Sequence, residues 1–380
     1  ARARSNPQFP LKEPRTMQVI ERFRPSLRLL GLLILGLPPS SQLPAQQPER
    51  YSVSGHEVAI YNLVGEIRVE AGPGPDVVAE ATRGGADAAK LKVLKSEIDG
   101  TQTLRFVYPA DRITYAKLSS GSSTQLRVRE DGTFSDRHDD DDHEKRNEGR
   151  RVTISAGSGG LDAHADLRIT VPMGKQLSLY LAVGKISVTN VEGDLNIDAA
   201  SAPVTTSNTR GELNIDVGSG QVQVSNSRGD LSVDTGSGSV SLTDVRGENV
   251  SVDTGSGEVS GTGVRSASLD VDTGSGDIQL AGIIAPQLKL ETGSGAVTAD
   301  VSGELWSVAV ETGSGDITLK VPPTIGAEVD IETSSGDIET DFEVAVTRHA
   351  RDHMTGRIGD GRGKIDIETG SGGIKLVKGS

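Results

Sequence analysis

The sequence has no cysteine and very few aromatic residues. None of its 380 residues is Cys, and Phe, Tyr and Trp together make up 3%. Without Cys the chain has no disulfide framework, no thiolate chemistry and no lipid-modified cysteine. The shortage of aromatic rings indicates a narrow interior filled by Val, Ile and Leu. Stability is therefore expected to come from the stacking of short repeated elements.

The N-terminal segment contains an apolar run, Leu29–Leu37, that is too short to cross a bilayer, which takes about 20 residues. Arginines precede the run, and Leu43-Pro44-Ala45 follows it. This pattern predicts a secretory signal peptide over residues 1–45, with an uncleaved membrane anchor as the alternative. Met17 would give a signal peptide of ordinary length, so residues 1–16 are expected to be an over-called start.

The chain is acidic, with 53 Asp and Glu, 39 Lys and Arg and a net charge of −14. Residues 1–45 carry seven basic and two acidic side chains, so their removal would leave a net charge of −19. This charge argues against nucleic acid and against anionic headgroups as partners. It is compatible with a cationic partner, or with divalent cations that bridge to an anionic polysaccharide.

A short phrase, Asp or Glu followed by a residue and Gly-Ser-Gly, recurs along the second half of the chain. Its acidic residues, and that of an E-T-S-S-G variant, are Asp216, Asp234, Asp253, Asp272, Glu291, Glu311, Glu332 and Glu368. The first steps between them are 18 to 20 residues. A fixed period near 19 residues is typical of a repeat architecture.

Each repeat contains two short runs of alternating polarity around a Gly-Ser-Gly turn. Val250 and Val252 have one parity and Asp253 the other, and Val259 resumes the apolar parity after the turn. We therefore predict an all-β fold, a β-solenoid with coils of about 19 residues and two short strands per coil. An antiparallel meander is the alternative. The Thr before each turn, as in Thr254 and Thr273, is expected to point inward and to hydrogen-bond the turn backbone.

The rest of the chain departs from this period. Residues 46–116 are expected to form an irregular β-rich N-terminal cap, and residues 117–150 an acidic disordered loop containing His138 and His143. The solenoid is expected over residues 151–380, with a projecting insertion at 343–363. His349 and His353 in that insertion would share one face of a helix, but two ligands do not make a metal site.

The acidic residue of each turn is expected to lie outward on successive coils. Such a ladder, Asp234, Asp253, Asp272, Glu291 and Glu311, is a candidate cation-binding row. Calcium is the expected occupant, because it accepts several carboxylate oxygens in flexible geometry. A row screened by solvent and salt is the alternative. We expect no other cofactor.

Two enzyme classes share features with this sequence. Asp-Thr-Gly-Ser at Asp234, Asp253 and Asp272 matches the aspartic-protease motif, but those enzymes need two converging carboxylates, whereas this motif recurs at coil spacing. A β-helix polysaccharide-active enzyme would need one coil that departs from the repeat to hold its active site. No coil does so, and we predict that the protein is not an enzyme.

Several segments resemble a known family, namely Val58–Val69, the I-T-V-P-M-G-K segment Ile169–Lys175, the repeated turns, and the closing Gly356–Gly372. They are similar to the bacterial putative-adhesin family of β-strand-repeat proteins, a domain of unknown function. The resemblance implies an exported, solenoid-like, non-catalytic protein of the periplasm, cell surface or extracellular space, acting as a binding or scaffold module of the envelope. An envelope-stress or signalling accessory protein is the alternative.

Overall fold

The structure is a computed structural model and describes residues 48–134 and 149–379. The chain divides into two units after Ala45, and every described strand lies in the second unit, residues 46–380. The predicted signal peptide, the acidic run with His138 and His143, and the other residues between 134 and 149 lie outside the described residues.

The described residues form 31 strands and one turn of 3-10 helix, Ala88–Lys90. The first strands are β1 Glu49–Val53, β2 Glu57–Ala71, β3 Val77–Gly84, β4 Lys92–Ile98, β5 Thr101–Val107, β6 Arg112–Thr114, β7 Ser123–Val128, β8 Arg150–Ser155 and β9 Leu161–Asp162. They are followed by β10 His164–Val171, β11 Lys175–Thr189, β12 Gly193–Ser201, β13 Val204–Ser207, β14 Leu213–Ser219, β15 Val222–Ser225, β16 Leu231–Ser237, β17 Val240–Thr243, β18 Asn249–Thr254, β19 Val259–Thr262 and β20 Ser268–Thr273. The last are β21 Ile278–Ile283, β22 Gln287–Thr292, β23 Val297–Val301, β24 Ser307–Thr312, β25 Ile317–Val321, β26 Ala327–Thr333, β27 Ile338–Thr340, β28 Ala345–His349, β29 His353–Ile358, β30 Gly363–Thr369 and β31 Ile374–Lys378.

The repeats stack in parallel, so the predicted β-solenoid is confirmed and the meander is wrong. The longer strand of each coil pairs with that of the next, as β16, β18 and β20 do. The shorter strands β17, β19 and β21 pair in the same way. A third side carries single parallel bridges between successive coils, among them Arg228 to Arg246. Each coil therefore has two strands and a short third side.

The interior is a set of aliphatic columns, one residue per coil. Val252 faces Val271, Leu290 and Val310 in successive coils, and all four side chains are buried, which confirms the predicted inward column. Thr292 at the corner donates its hydroxyl hydrogen to the carbonyl oxygen of Gly276 at 3.0 Å. The predicted corner hydrogen bond is thus confirmed at Thr292, and equivalent bonds occur at Thr273 and Thr312. The prediction is wrong for Thr235 and Thr254, whose hydroxyls are buried without a hydrogen-bond partner among the described residues.

The Gly-Ser-Gly turn is copied because its backbone lies too close to the next coil for any side chain. Gly276 has φ +150°, and a Cβ there would lie 2.1 Å from the carbonyl oxygen of Gly257. Gly257 makes the same close approach to Gly238, at 2.3 Å. Stacking at every coil therefore requires Gly at this turn position.

A second column of turn residues has left-handed backbone. Asn190, Asn208, Asn226 and Asp244 all have φ between 50° and 58°. The side-chain amide of Asn208 donates to the side-chain oxygen of Asn190 at 2.9 Å, and Asn226 does the same to Asn208. Asn tolerates this conformation better than most residues, so the same residue type suits the left-handed turn and supplies the hydrogen bond from one coil to the next.

The N-terminal strands close one end of the stack. The long strands β2 and β11 run side by side in parallel, and β2 also pairs with β5 and β10. Antiparallel pairs then complete the end, β4 with β5 and β3 with both β10 and β1. The hydroxyl of Tyr108 in this end donates to the buried Asn62 side-chain oxygen at 2.8 Å.

Part of the segment predicted to be disordered is ordered. Within residues 117–150, strand β7 pairs with β8 in a separate four-stranded sheet of order β7-β8-β6-β9. Val128 and Phe134 are buried in the core. The prediction of disorder is wrong for residues 123–128, because alternating apolar residues there pack against the N-terminal end.

The last coils are not stacked in chain order. Strand β30 lies between β24 and β26, and β31 lies between β25 and β27. The C-terminal coil, residues 363–378, is therefore inserted between two coils that are consecutive in the sequence. The coils therefore follow chain order up to β24 and β25 and depart from it beyond them.

The insertion is a β-hairpin. Strands β28 and β29 pair with each other, and β29 pairs antiparallel with the outer edge of β26. The prediction that His349 and His353 share a helix face is wrong, because Ala350 donates its N–H to the carbonyl of His353 at 2.8 Å in a tight turn between two strands. The hairpin covers the edge of the longer-strand stack, which would otherwise be open.

Candidate functional site

The acidic turn residues form one continuous row on the outer face of the longer strands. Parallel pairing places the same residue of each coil next to its equivalent, and the alternation of the strand turns this residue outward. The row, which we call the acidic ladder, runs in the order Asp198, Asp216, Asp234, Asp253, Asp272, Glu291, Glu311, Glu368 and Glu332. All five residues of the predicted cation-binding row belong to it.

Repulsion along the ladder is visible at its centre. Partial loss of hydration, and then the neighbouring carboxylates of Asp234 and Asp272, raise the pKa of Asp253 above its ordinary value. Asp270 lies on β20 with Asp272, on the same outer face, and it also raises the pKa of Asp253. The ladder therefore carries a concentrated negative potential, which favours cationic groups at this surface.

Lysines are few on this face. Lys289 Nζ lies 2.9 Å from Glu291 Oε2, and this pairing raises the pKa of Lys289. Lys364 Nζ lies 2.5 Å from Asp366 Oδ2, and this contact is the main cause of the raised pKa of Lys364. These lysines offset only part of the charge, so the face as a whole remains acidic.

The ladder ends in an open acidic cleft at its C-terminal side. A cleft of about 330 Å³ is lined mainly by charged side chains, namely Glu291, Glu311, Glu332, Glu368, Asp330, Asp366 and Lys364. An adjoining cleft of about 550 Å³ contains Asp330, Arg357 and Thr355. His353 Nε2 lies 2.8 Å from Oδ1 of Asp330, a residue that lines both clefts.

Aromatic side chains cover the other end of the ladder. Tyr180 is the neighbour of Asp198 in the next strand, and it stacks on Tyr61 with ring centroids 4.1 Å apart. Phe134 packs edge-on against both rings, at 5.9 Å and 6.4 Å. Burial here raises the pKa of Tyr61, and Asp198 is itself buried. The exposed part of the ladder therefore begins after Asp198.

The structure arranges the candidate ligands along a line. Within residues 48–134 and 149–379, no group of three or more His, Asp or Glu side chains surrounds a point where it could hold a metal ion. A bound cation would therefore lie along the ladder, between neighbouring carboxylates. Calcium at the ladder stays a prediction.

The Asp-Thr-Gly-Ser motifs lie in the same ladder. Asp234, Asp253 and Asp272 are direct neighbours on three successive strands. They are equivalent members of a row, whereas an aspartic protease distinguishes two carboxylates that share one water. The motif is therefore explained by coil stacking.

In the described part of the chain no helix is long and apolar enough to span a membrane.

Two features of the structure were not predicted from the sequence, namely the stacked tyrosines and the ladder of turn asparagines. The stacked tyrosines could not be recognised, because Tyr61 and Tyr180 belong to segments far apart in the chain with no common motif. The asparagine ladder was visible in principle, since Asn190, Asn208 and Asn226 are 18 residues apart and each precedes a third-side residue by two positions.

These observations define a parallel β-solenoid built from one repeated turn sequence. Residues 203–377 match the family model described as Toastrack DUF4097, a family of unknown function, and this part of the chain is similar to that family. The family resemblance drawn from the sequence is thereby confirmed.

The crystal structure of a putative cell adhesion protein from Clostridium sporogenes is similar at 11% identity and a TM-score of 0.18, over 88% of this chain and 100% of that chain. This TM-score is too low to carry an argument. Among curated proteins no match was found.

Proposed function

We propose that the protein is an exported, non-catalytic binding or scaffold module of the cell envelope, and that the acidic ladder is its binding surface for a cationic partner. The supporting observation is the in-register row of carboxylates along the outer face. Stacked repeats present extended surfaces that suit binding to long partners. Partial burial, and then the carboxylates of Asp234 and Asp272, raise the pKa of Asp253, and Lys289 beside Glu291 offsets only part of the negative charge of this face.

The binding surface can be tested with a labelled lysine oligomer and fluorescence anisotropy. The variant Asp234→Asn/Asp253→Asn/Asp272→Asn should bind at least about tenfold more weakly, because three neighbouring charges are lost at the contact. The matched control Glu258→Gln/Glu304→Gln/Glu343→Gln changes the net charge equally at exposed positions away from the ladder. Equal weakening in both variants would mean that only net charge matters and would contradict a specific surface.

Export is supported by the composition of residues 1–45. Expressed in a Gram-negative host, the protein should lose its N-terminus near Ala45 and appear outside the cytoplasm. N-terminal sequencing of each cell fraction tests this. An intact Leu29–Leu37 segment in a membrane fraction would instead support an uncleaved anchor.

Two other functions are distinguished by simple observations. An envelope-stress or signalling accessory protein should be encoded beside sensors and regulators. A β-helix polysaccharide-active enzyme should generate new reducing ends from acidic or neutral polysaccharides, and the triple Asn variant should abolish that activity. Polysaccharide cleavage by the wild type would overturn the non-catalytic proposal.

A further inference from the structure

A row of arginines runs along the third side of the solenoid. Arg210, Arg228, Arg246 and Arg265 are joined by single parallel bridges, one per coil. All four residues are exposed. We call this row the arginine ladder. It crosses the same coils that carry Asp216, Asp234, Asp253 and Asp272 of the acidic ladder.

The charge of the arginine ladder is not neutralised by neighbours in the described part of the chain. None of its four guanidinium groups lies within 4.0 Å of a described carboxylate. Two acids next to this row in the sequence have other partners. Asp230 Oδ1 accepts the N–H of Glu248 at 2.9 Å, and Glu212 Oε1 accepts a hydrogen bond from the side-chain amide of Asn214 at 2.8 Å.

The two ladders have the same spacing. Both place one charge on each coil, and the spacing is set by the parallel hydrogen bonding of strands, about 4.8 Å apart. Within a coil Arg228 and Asp234 are six residues apart in the sequence. The strand that separates them is extended, so one ladder cannot neutralise the other inside one molecule. Two molecules lying side by side can pair them rung by rung.

We propose that a second copy of this chain binds through these rows, with the arginine ladder of one molecule against the acidic ladder of the other. The match is periodic as well as electrostatic, since any displacement by whole coils brings charges opposite again. A partner with irregular charges would satisfy only some rungs. This inference rests on the proposed role of the acidic ladder as a binding surface, and it names the partner.

The contact joins two different surfaces, so it does not close on a dimer. After one contact, each pair of molecules still presents an unused arginine ladder at one side and an unused acidic ladder at the other. Such a heterologous interface adds further copies in an open row. Since the charges lie at the surface, the association should weaken steeply as salt rises.

Sedimentation velocity of the mature chain tests the proposal. The average mass should rise with protein concentration at about 20 mM salt and return to that of one chain at about 500 mM. Arg228→Glu/Arg246→Glu should stay monomeric alone, because its row of positive charge is interrupted. Added to the wild-type chain at low salt, this variant should lower the average mass, because its intact acidic ladder occupies the arginine ladder of a wild-type molecule and it offers no arginine ladder to the next copy.

The control Arg50→Glu/Arg151→Glu changes two exposed arginines outside the ladder and should associate like the wild type. A wild-type chain that is monomeric at low salt, or an Arg228→Glu/Arg246→Glu variant that still associates, would overturn the proposal. The proposal would also be overturned if Arg228→Glu/Arg246→Glu lost binding to an anionic polysaccharide while its average mass stayed equal to that of the wild type. Binding of the lysine oligomer by Arg228→Glu/Arg246→Glu is measured in parallel. If that binding persists while no self-association occurs in the wild type, the inference fails and the proposed function stands.

Discussion

Asn208 donates from its side-chain amide to the side-chain oxygen of Asn190 one coil away, at 2.9 Å, while its own backbone is left-handed with φ +55°. Asn208→Ala should destabilise the protein by about 1–2 kcal/mol, since it removes the hydrogen bond to Asn190 and since Ala tolerates left-handed backbone less well than Asn. Asn208→Gly should cost less, because Gly relieves the strain and already occupies the equivalent position at Gly263. Urea denaturation of both variants measures the difference. Equal losses would show that backbone strain contributes nothing.

The acidic ladder should make stability depend on pH around Asp253. Its pKa in the folded chain lies above the ordinary value of 3.8, so the folded state takes up a proton more readily than the unfolded state. Stability contributed by this group therefore rises as pH falls from neutral toward 3.8. Asp253→Asn should stabilise the protein at pH 7 by about 0.5 kcal/mol after screening by solvent, and this gain should fade in acid.

Asp230 provides the control with the opposite sign. Hydrogen bonds from the backbone and side chain of Asn249, and from the backbone of Glu248, lower the pKa of Asp230. Its contribution is present above its unfolded pKa and is lost as pH falls through the lower folded value. Asp230→Asn should therefore destabilise the protein at neutral pH. Thermal melts of both variants across the acid range would contradict this account if the two shifts had the same sign.

Calcium at the ladder is a separate prediction. Millimolar calcium chloride should raise the melting temperature more than sodium chloride at equal ionic strength, because a divalent ion can bridge neighbouring carboxylates of Asp253 and Asp272. Asp253→Asn/Asp272→Asn should lose the extra stabilisation. Equal shifts in both salts, or an unchanged calcium response in the variant, would leave the ladder as a solvated row screened by salt.

The turn glycines should tolerate no side chain. In Gly276→Ala the new Cβ would meet the carbonyl oxygen of Gly257 at 2.1 Å, a backbone atom that cannot move away without breaking the stack. We expect a loss of about 3 kcal/mol or more in the free energy of unfolding. The neighbouring Ser275→Ala is a matched control at an exposed position and should change stability by less than about 0.5 kcal/mol. Chemical denaturation of both proteins compares the two costs.

The solenoid could be predicted because its period is written into the chain. The alternation around Val252 and Val271 assigns the inward column, and the outward position of Asp253 follows from it. The order of the final coils could not be predicted in the same way. The strands ending at Thr333 and Thr369 have nearly the same sequence, so either could follow Thr312. The hairpin between them pairs with one edge of β26, which leaves the other edge of β26 to pair with β30. This pairing is non-local, and the spacing of His349 and His353 within the hairpin also fits a helix.

The burial of Asp198 under aromatic rings also could not be predicted from the sequence. It depends on Phe134 and Tyr61, which reach the ladder from segments outside the repeat. The acidic ladder itself followed from the repeat, but its exposed length did not. Local pattern thus determined which side chains share a face, whereas pairing between distant segments determined how much of that face is open.

The position of residues 363–378 in the stack gives the fold an unusual dependence on them. Strands β30 and β31 are synthesised after β26 and β27, yet they fill the gap between β24–β25 and β26–β27. A nascent chain that ends before Gly363 has two sheet edges facing an empty layer, and open edges of this kind pair readily with other chains. A premature stop codon there removes an internal layer of the stack, so the solenoid can close only after residues 363–378 have been synthesised.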